Sequence, residues 1–271
     1  MSADPSAEPS AEEWSELLEG RVPPTGELAE RYGPLVAAGP RLALAQLGQS
    51  LDGFIASRTG DACFVTGEED RVHLHRLRAL VDAVVVGVGT VVSDDCRLTV
   101  RAVPGRHPVR VVLDPDGRAP RHAQVFTDEA RTVWVVADDR ATPHPPAPEV
   151  EVVSLPREGH KRGFDPALVL STLSHQGLGR VLVEGGGVTV SRFLAAGALD
   201  RLLVTTAPVL IGDGVPGLRF DGRDRLADAL RAPSRRFLLG EDTCVELDLS
   251  LVRSGYDGQA ALTRRQAAGH P

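Results

Sequence analysis

The sequence predicts an α/β domain with a mostly parallel central sheet flanked by helices. Short β-branched runs such as AVVVGV (83–88) show no polar alternation, which is typical of strands buried on both faces. Segments with helical patterns separate these runs, and such alternation is typical of parallel sheets. At 271 residues and 42% hydrophobic content, the chain can also bury a sizeable core.

Eight strands and three helices are predicted between about residues 41 and 250. The predicted strands are 42–48, 83–88, 109–113, 132–136, 150–154, 181–184, 202–206 and 244–249. One helix follows TGEED, where Thr66 can act as the N-cap and Glu69 can complete a capping box. A second starts at DPALVL, with Asp165 as cap and Pro166 in the first helical position. The third follows three glycines at 185–187.

The two ends of the chain are expected to lie outside this domain. Residues 1–20 are rich in Ser, Ala, Pro and Glu and hold six acids and no base. Such a composition buries too little apolar surface to offset chain entropy. Residues 1–40 are therefore expected to form a largely disordered extension, with a short helix near 26–38. Residues 41–252 form the predicted domain, and 253–271 form a peripheral tail.

Composition argues against several classes of function. Outside the acidic N-terminus the chain is nearly neutral, whereas a general nucleic-acid binder needs excess Lys and Arg. No run approaches the roughly 20 apolar residues that span a bilayer, and the N-terminus lacks a signal-peptide pattern, so a cytoplasmic protein is expected. Cys63, Cys96 and Cys244 are widely spaced, and no HxxxH or HxE pair occurs. Neither a disulfide framework nor a metal site is therefore expected.

One glycine-rich turn lies within RVLVEGGGVTVSRFL (180–194). Glu184 stands at the carboxyl end of a buried strand, and the glycines at 185–187 precede a helix. Backbone N–H groups at such a helix start are how α/β proteins hold phosphate groups. The turn lacks the GxGxxG spacing and the P-loop lysine. A simple tight turn is therefore an equally good interpretation.

A second turn of the same kind lies within VVVGVGTVVSDD (84–95), which ends in Asp94 and Asp95. Two such turns in one domain favour a long, two-part ligand such as a dinucleotide. The adjacent carboxylates could indicate a metal site, but neighbouring side chains diverge and no further ligand stands close by in sequence. A metal is therefore not expected.

Basic side chains form a third candidate group. Arg71, His75 and Arg78 are spaced so that they share one helix face, and Arg101 follows the turn at 94–95. Arginine is suited to bidentate phosphate recognition. The alternative is a solvated helix face, which is the more common arrangement.

Four segments, taken in order, resemble the reductase domain of the bacterial riboflavin-biosynthesis deaminase–reductase family. They are GQSLDGFIA (48–56), FVTGEEDRVHLHRLRALVDAVVVGVGTVVSDDCRLTVR (64–101), RVVLD (110–114) and VLVEGGGVTVSRFLAAGALDRLLVTTAPVLIG (181–212). The resemblance implies a dihydrofolate-reductase-like fold, a homodimer, and NADPH as hydride donor. It further implies reduction of a phosphorylated heterocycle, as by 5-amino-6-(5-phosphoribosylamino)uracil reductase. The HxE and PCxxC motifs of the deaminase half do not occur, so the chain resembles a stand-alone reductase.

The resemblance also implies which residues bind cofactor and substrate. The cofactor side comprises Gly48, Phe64, Thr90, Asp94, Gly186, Gly187, Val188, Thr189, Val190, Ser191 and Arg192. The substrate side comprises Arg78, Leu98, Arg101 and Glu184. Within these sets, Arg78 and Arg101 are expected near the phosphate or sugar, and Arg192 could favour the 2′-phosphate of NADP. No residue is an obvious general acid, although Asp94 or Glu184 could supply a proton.

Three positions depart from the family pattern. Phe54 replaces a Lys or Arg, Ala62 replaces a Ser, and Cys96 replaces a Pro. The first two changes remove expected polar contacts to the substrate. Two alternatives therefore stay open: a reductase of the same fold that acts on a different, pterin-like or specialised-metabolite heterocycle, and a non-catalytic NADP-binding protein.

Overall fold

The computed structural model describes residues 11–62, 65–128, 130–139, 143–159 and 163–252. The strands are β1 (Leu42–Ser50), β2 (Phe54–Ser57), β3 (Ala83–Gly87), β4 (Val109–Leu113), β5 (Thr132–Ala137), β6 (Val150–Leu155), β7 (Arg180–Val183), β8 (Arg201–Ala207), β9 (Gly214–Pro216), β10 (Ser234–Leu239) and β11 (Asp242–Asp248). The helices are α1 (Ala11–Leu18), α2 (Glu27–Val36), α3 (Glu68–Ala79), α4 (Val88–Asp94), α5 (Gln124–Thr127), α6 (Pro166–His175) and α7 (Gly187–Ala195), with a 3-10 turn at Leu226–Asp228.

A nine-stranded sheet runs through the molecule in the order β10-β11-β8-β1-β7-β3-β4-β5-β6. Neighbours from β8 to β6 are parallel, and β10 and β11 add an antiparallel edge. The predicted fold class is thereby confirmed. All eight predicted strands lie in this sheet, and their ends differ from the prediction by no more than a residue or two.

The strands β2, β9 and β10 were not predicted from the sequence. β10 alternates exposed and half-buried residues at the sheet edge, so it carries no continuous apolar run. β2 and β9 form a separate two-stranded sheet that is short and irregular in register between Phe54 and Ala56. Strands of this kind have too few buried residues to leave a period-2 pattern in the sequence.

Residues 1–40 were expected to be largely disordered, but helices α1 and α2 form within them. Their apolar faces join the main hydrophobic core on one side of the sheet, through Trp14, Leu17, Leu28, Tyr32 and Leu35. The average composition of residues 1–20 is polar, but it conceals the helical spacing of Trp14 and Leu17 on a single face. The short helix predicted near 26–38 is present as α2. Residues 1–10 and 253–271 lie outside the described part of the chain.

Two helix starts test the capping predictions. Asp165 accepts a hydrogen bond from the N–H of Ala167 at 2.9 Å, as predicted, with Pro166 beginning α6. The capping box at Thr66 is wrong, because Gly67 is the N-cap of α3 and no side chain caps it. The Gly67 N–H donates instead to Asp242 Oδ2 at 2.6 Å. The start of α3 is therefore tied to the start of β11.

The parallel strands are covered on both faces. Alternate residues of β1, β3 and β7 enter two separate cores, with Leu44 and Val84 on one side and Ala45 and Val85 on the other. This burial on both faces accounts for their unbroken apolar sequence. No helix within the described residues is long and apolar enough to cross a membrane.

Candidate functional site

A cleft of about 820 Å³ opens at the carboxyl edge of the parallel strands. Gly48 of β1, the turn after β3 and the turn after β7 all line it. Parallel sheets bind ligands at this edge because strand ends and helix starts converge there. The two glycine turns predicted from the sequence therefore face one shared space.

Most of the predicted site residues line this cleft. They are Gly48, Arg78, Thr90, Asp94, Leu98, Glu184, Gly186, Val188, Thr189 and Arg192. Phe64 lies outside the described residues. Arg101, Gly187, Val190 and Ser191 are absent from the lining.

Three of the residues absent from the lining have structural partners elsewhere. Val190 is fully buried in the core beneath α7. The Ser191 hydroxyl accepts the N–H of Arg219 at 2.7 Å. A Cβ at Gly187 would collide with the carbonyl oxygen of Gly217, so this glycine permits close packing of α7. The predicted segment 186–192 thus alternates between cleft and core, as one helix must.

A buried ion pair between Arg78 and Glu184 lies in the cleft wall. Arg78 Nε donates to Glu184 Oε1 at 2.8 Å, and its Nη2 donates to Oε2 at 2.7 Å. A third bond joins Arg78 Nη1 to the carbonyl of Thr99 at 3.2 Å. Burial by itself lowers the pKa of Arg78, but the carboxylate outweighs it and raises the pKa. Arg78 is therefore charged, and the paired bonds hold both side chains in one geometry.

His75, on the same helix as Arg78, is bonded to the backbone of Arg101. The N–H of Arg101 donates to His75 Nδ1 at 3.0 Å, so the neutral ring carries its proton on Nε2. Burial, with the charges of Arg78 and Arg101, lowers the pKa of His75 to about 4. His75 and Arg78 are buried, so the solvated-face interpretation fails for them, while Arg71 is exposed and lines the cleft.

Thr90 fastens the two glycine turns to each other. Its hydroxyl accepts the N–H of Gly186 at 3.1 Å. Gly185 has φ +97°, and a Cβ there would stand 2.6 Å from the same hydroxyl. Glycine is required at 185 on both counts. The result is a fixed start for α7 beside the end of β3.

The N-terminus of α7 opens into the cleft without a cap. Gly186 is the N-cap residue and supplies no side-chain cap. Its own N–H is bonded to Thr90 Oγ1, and the N–H of Thr189 donates to the Gly186 carbonyl at 3.1 Å. Space beside Gly186 and Gly89 is open, since a Cβ at Gly186 would meet only Thr90 Oγ1 at 3.8 Å and one at Gly89 would meet nothing. The positive end of the helix dipole beside this open space suits an anionic group such as phosphate.

The loop after α4 carries strained backbone next to the cleft. Asp95 and Leu98 have φ of 44° and 59°, in the left-handed region that non-glycine residues seldom adopt. Leu98 is buried and lines the cleft. Burial, with the charges of Glu184 and Asp94, raises the pKa of Cys96 to about 12. Cys96 is therefore a protonated, unreactive thiol in the wall.

The three residues that depart from the family pattern differ in whether they line the cleft. Ala62 and Cys96 line the cleft, whereas Phe54 does not. Phe54 is half-buried in β2, where its N–H donates to Ser50 Oγ at 3.0 Å. Arg192 reaches the cleft while donating to Glu158 Oε2 at 2.9 Å and to the carbonyl of Phe164 at 3.1 Å. The guanidinium of Arg192 must therefore serve these two partners and any bound ligand at the same time.

Sequence reasoning missed Asp70, a buried carboxyl that lines the cleft. Thr205 Oγ1 donates to Asp70 Oδ1 at 2.7 Å, and Gln46 Nε2 lies 3.3 Å from the same oxygen. Burial, with the charge of Asp242, raises the pKa of Asp70. An acid in the first turn of a helix is an ordinary partner for the helix dipole. Nothing local therefore distinguished Asp70 from its exposed neighbours Glu68 and Glu69.

No group of three or more His, Cys, Asp or Glu side chains is placed to hold a metal ion within the described ranges. The expectation that the protein needs no metal stays a prediction. The charged side chains that line the cleft are arginines on α3, on α7 and after β4, and carboxylates on α3, on α4, after β4 and after β7.

Solved structures share this architecture. A deaminase/reductase from Thermotoga maritima aligns with a TM-score of 0.65 and 27% identity, over 82% of this chain and 60% of that one. RibD from Acinetobacter baumannii aligns with a TM-score of 0.66 and 26% identity, over 82% of this chain and 63% of that one. These alignments bear out the predicted dihydrofolate-reductase-like fold.

Sequence comparisons agree. A relative from Methanothermobacter thermautotrophicus, named 2,5-diamino-6-ribosylamino-4(3H)-pyrimidinone 5′-phosphate reductase, is 38% identical over 208 residues, covering 73% of this chain and 93% of the relative. Riboflavin biosynthesis protein RibD of Aquifex aeolicus is 37% identical over 170 residues, covering 62% of this chain but only 46% of the relative. The model of the RibD C-terminal domain matches residues 43–230, and the chain belongs to that family.

Proposed function

We propose that the protein is an NADPH-dependent reductase that converts a ribosylaminopyrimidine 5′-phosphate into its ribitylamino form. One observation carries this proposal: the uncapped start of α7 and the buried pair of Arg78 and Glu184 face the same cleft. The first suits the phosphates of a dinucleotide and the second suits a polar, phosphorylated substrate. Relatives that bear the name of such a reductase add support.

NADPH fits the glycine side of the cleft. The backbone at Gly186 and Gly89 is open to close approach, and Val188 and Thr189 present the first turn of α7 to the same space. Arg192 lies one turn further along α7. Its guanidinium would bond to a 2′-phosphate while it stays bonded to Glu158. When bound, NADPH supplies a hydride. The chain's own task is to hold the acceptor carbon against it.

The residues on the substrate side of the cleft would align the reacting group and surround it with charged side chains. In the ring-opened substrate, C1′ is the carbon of an imine, which takes up a hydride and one proton to become the amine carbon of a ribitylamino group. Glu184 accepts two charged hydrogen bonds from Arg78, so it is a poor proton source. Asp94 is exposed, which leaves Asp94 or solvent to supply the proton.

Several expectations remain predictions. A homodimer is proposed here from the resemblance, and a cytoplasmic location is proposed from the composition of the sequence. The chain spans nearly all of the stand-alone reductase from Methanothermobacter but about half of the RibD proteins. An activity shared with the former is accordingly the simpler proposal.

A second candidate function is reduction of a pterin-like heterocycle. Ala62 lines the cleft in place of the family serine, so one polar contact to the usual substrate is absent. Dihydropterin reduction without reduction of the pyrimidine phosphate would establish this alternative, and NADPH binding without turnover of either would establish a non-catalytic protein.

The test is to incubate the purified protein with NADPH and the ribosylaminopyrimidine 5′-phosphate and to follow nicotinamide absorbance. We expect turnover in the parent protein and a loss of at least about 100-fold in kcat/KM for Arg78→Lys, which cannot form the paired bonds to Glu184. Arg131→Lys is the matched control, because Arg131 pairs with Glu151 outside the cleft. Circular dichroism checks folding, and an active Arg78→Lys variant would contradict the role given to this pair.

A further inference from the structure

The end of the cleft beside β4 carries two charged side chains, Asp116 and Arg118, that have no role in the function proposed above. The cleft passes the ends of β1, β7, β3 and β4, which are neighbours in the sheet in that order. Adjacent strands lie about 4.8 Å apart, so the ends of β1 and β4 are separated by about 14 Å. The cleft is therefore a long groove with the two glycine turns at its middle.

The position of α3 sets the direction in which a dinucleotide would lie. This helix contacts β1 through Asp70 and Gln46, whose side-chain atoms lie 3.3 Å apart. It contacts the end of β7 through the pair of Arg78 and Glu184. The substrate half of the cleft therefore lies on the β1 side, and the nicotinamide must face it. With its pyrophosphate at the glycine turns, the cofactor would extend its adenosine ribose toward the end of β4.

The loop after β4 is held by hydrogen bonds and presents Arg118 to this end of the cleft. Asp114 Oδ2 accepts the N–H of Ala119 at 2.8 Å and the indole N–H of Trp134 at 3.1 Å. Gly117, with φ +65°, donates its N–H to the carbonyl of Asp114 at 3.1 Å. Arg118 lies between these bonds, and 66% of its side chain is exposed. Its backbone is therefore fixed, while its guanidinium is accessible to a ligand.

Two arginines of the described chain line this end of the cleft, and they differ in how far they are engaged. Arg118 lies 3.8 Å from Asp116 Oδ2, which is too long for a hydrogen bond. Arg192, in contrast, donates to Glu158 and to the carbonyl of Phe164. A phosphate can therefore bond to Arg118 without displacing a partner, whereas it must share Arg192.

Asp116 would repel a phosphate at this place if its charge were not balanced, because it lines the cleft beside Arg118. Arg157 Nη2 donates to Asp116 Oδ1 and to the carbonyl of Pro115, both at 2.9 Å. Its Nε donates to Asp139 Oδ2 at 2.8 Å. Arg157 does not line the cleft. It therefore pairs with Asp116 from outside the cleft.

We propose that Arg118 binds the 2′-phosphate of NADPH and that Arg157 makes this possible by neutralising Asp116. Arg118 is thus a specificity-determining residue, and Arg157 is a positioning residue that acts through a neighbouring carboxylate. This inference rests on the proposed function for its cofactor. NADH carries a ribose hydroxyl in place of the phosphate, so it gains little from Arg118. An unbalanced carboxylate would favour that hydroxyl, as acids do in other dinucleotide sites.

The first test measures the dissociation constants of NADPH and NADH by fluorescence titration, without substrate. We expect the parent protein to bind NADPH more tightly by at least about tenfold, as a hydrogen bond between charged groups provides. Arg118→Gln should remove most of this preference by weakening NADPH binding alone. Arg121→Gln is the matched control, because Arg121 bonds the carbonyls of His144 and Pro145 and does not line the cleft. It should keep the preference within about threefold.

The second test concerns Arg157, which acts on the cofactor only through Asp116. Arg157→Gln should weaken NADPH binding by at least about tenfold, because Asp116 would then compete with the phosphate for Arg118 and repel it. NADH binding should stay unchanged or become tighter, whereas a merely structural defect would weaken both cofactors alike. Adding Asp116→Asn to Arg157→Gln should restore most of the NADPH binding. Thermal melting checks that each variant folds.

Adenosine 2′,5′-bisphosphate and 5′-AMP apply the same comparison to the adenosine end alone. The ratio of their dissociation constants should change in Arg118→Gln as that of NADPH and NADH does. Equal binding of NADPH and NADH by the parent, or a preference that survives in Arg118→Gln, would overturn the inference. A preference lost only in Arg192→Gln would assign the phosphate to Arg192 instead. Binding of NADPH that depends on Arg118, in a protein that reduces no candidate heterocycle, would refute the proposed function and uphold this inference.

Discussion

At the scale of single residues, the pair of Arg78 and Glu184 is the most consequential contact in the cleft wall. Both side chains are nearly inaccessible, with 9% and 5% of their side-chain surface exposed. Removing one partner of such a pair leaves a buried charge and costs about 3–5 kcal/mol, whereas replacing both by apolar residues is often neutral. The pair therefore contributes more to the position of charged groups in the cleft wall than to the stability of the fold.

A double-mutant cycle tests this view. We expect Arg78→Met to lower the free energy of unfolding by about 3–5 kcal/mol, and Arg78→Met with Glu184→Leu to recover most of that loss. Neither protein should be active, because the double variant restores packing but not the charged wall. Urea unfolding and NADPH oxidation supply the two readouts. A single variant as stable as the double would show that Glu184 finds another partner.

Residue-scale features also mark the limit of what the sequence could predict. Glu184 and Arg78 were both identified from the sequence, but their bond joins residues 106 positions apart and became visible only in the fold. Asp70 was missed because its burial depends on Gln46 and Thr205 on neighbouring strands. Local pattern carries no information about such partners. Phe54, in contrast, was interpreted as a lost substrate contact, although it does not line the cleft.

At the scale of elements, strands buried on both faces were predictable and partly exposed elements were not. β3 and β5 are recognisable in the sequence as continuous valine-rich runs, because both faces of the sheet are covered. β10 has one exposed face and β9 has three residues, so neither leaves a strong pattern. Helix α1 was obscured by the polar residues around it. The elements that carry the cleft were therefore the easier ones to predict.

The start of α7 yields a prediction at this scale, because its two glycines have different tasks. Gly187→Ala would push a methyl group onto backbone oxygens, with Pro216 O only 2.7 Å away, so it should lower stability by about 1–3 kcal/mol. Gly186→Ala meets only Thr90 Oγ1 at 3.8 Å and should leave the melting temperature nearly unchanged. It should instead weaken NADPH binding, because its methyl group enters the space left for phosphate.

Thermal melting and fluorescence titration with NADPH separate these effects. The two variants serve as controls for each other, since each adds one methyl group to the same turn. If Gly186→Ala bound NADPH like the parent, the phosphates would have to lie elsewhere in the cleft. A fully stable Gly187→Ala would mean that α7 moves away from the Gly217 segment without cost.

At the scale of the whole molecule, helix α2 is joined to helix α3 through a buried contact between Tyr32 and His73. Tyr32 Oη lies 2.7 Å from His73 Nδ1, and both rings are essentially inaccessible. Burial, with the charges of Arg31 and Arg76, lowers the pKa of His73 to about 3. Burial raises the pKa of Tyr32 to about 12, although the same two arginines act against it. Both groups are neutral in the folded protein.

This contact predicts how stability depends on pH. Because the pKa of His73 is near 6.5 when unfolded and about 3 when folded, its neutral form favours folding above pH 6.5. That stability is lost progressively as pH falls from 6.5 toward 3, by an amount of the order of 1–4 kcal/mol. We expect His73→Gln, which can still accept from Tyr32, to unfold with a flatter pH dependence across this window. His175→Gln, at an exposed position in the last turn of α6, should behave like the parent. Urea unfolding between pH 7.5 and 4 measures the slopes, and parallel curves for the parent and His73→Gln would show that His73 does not control acid stability.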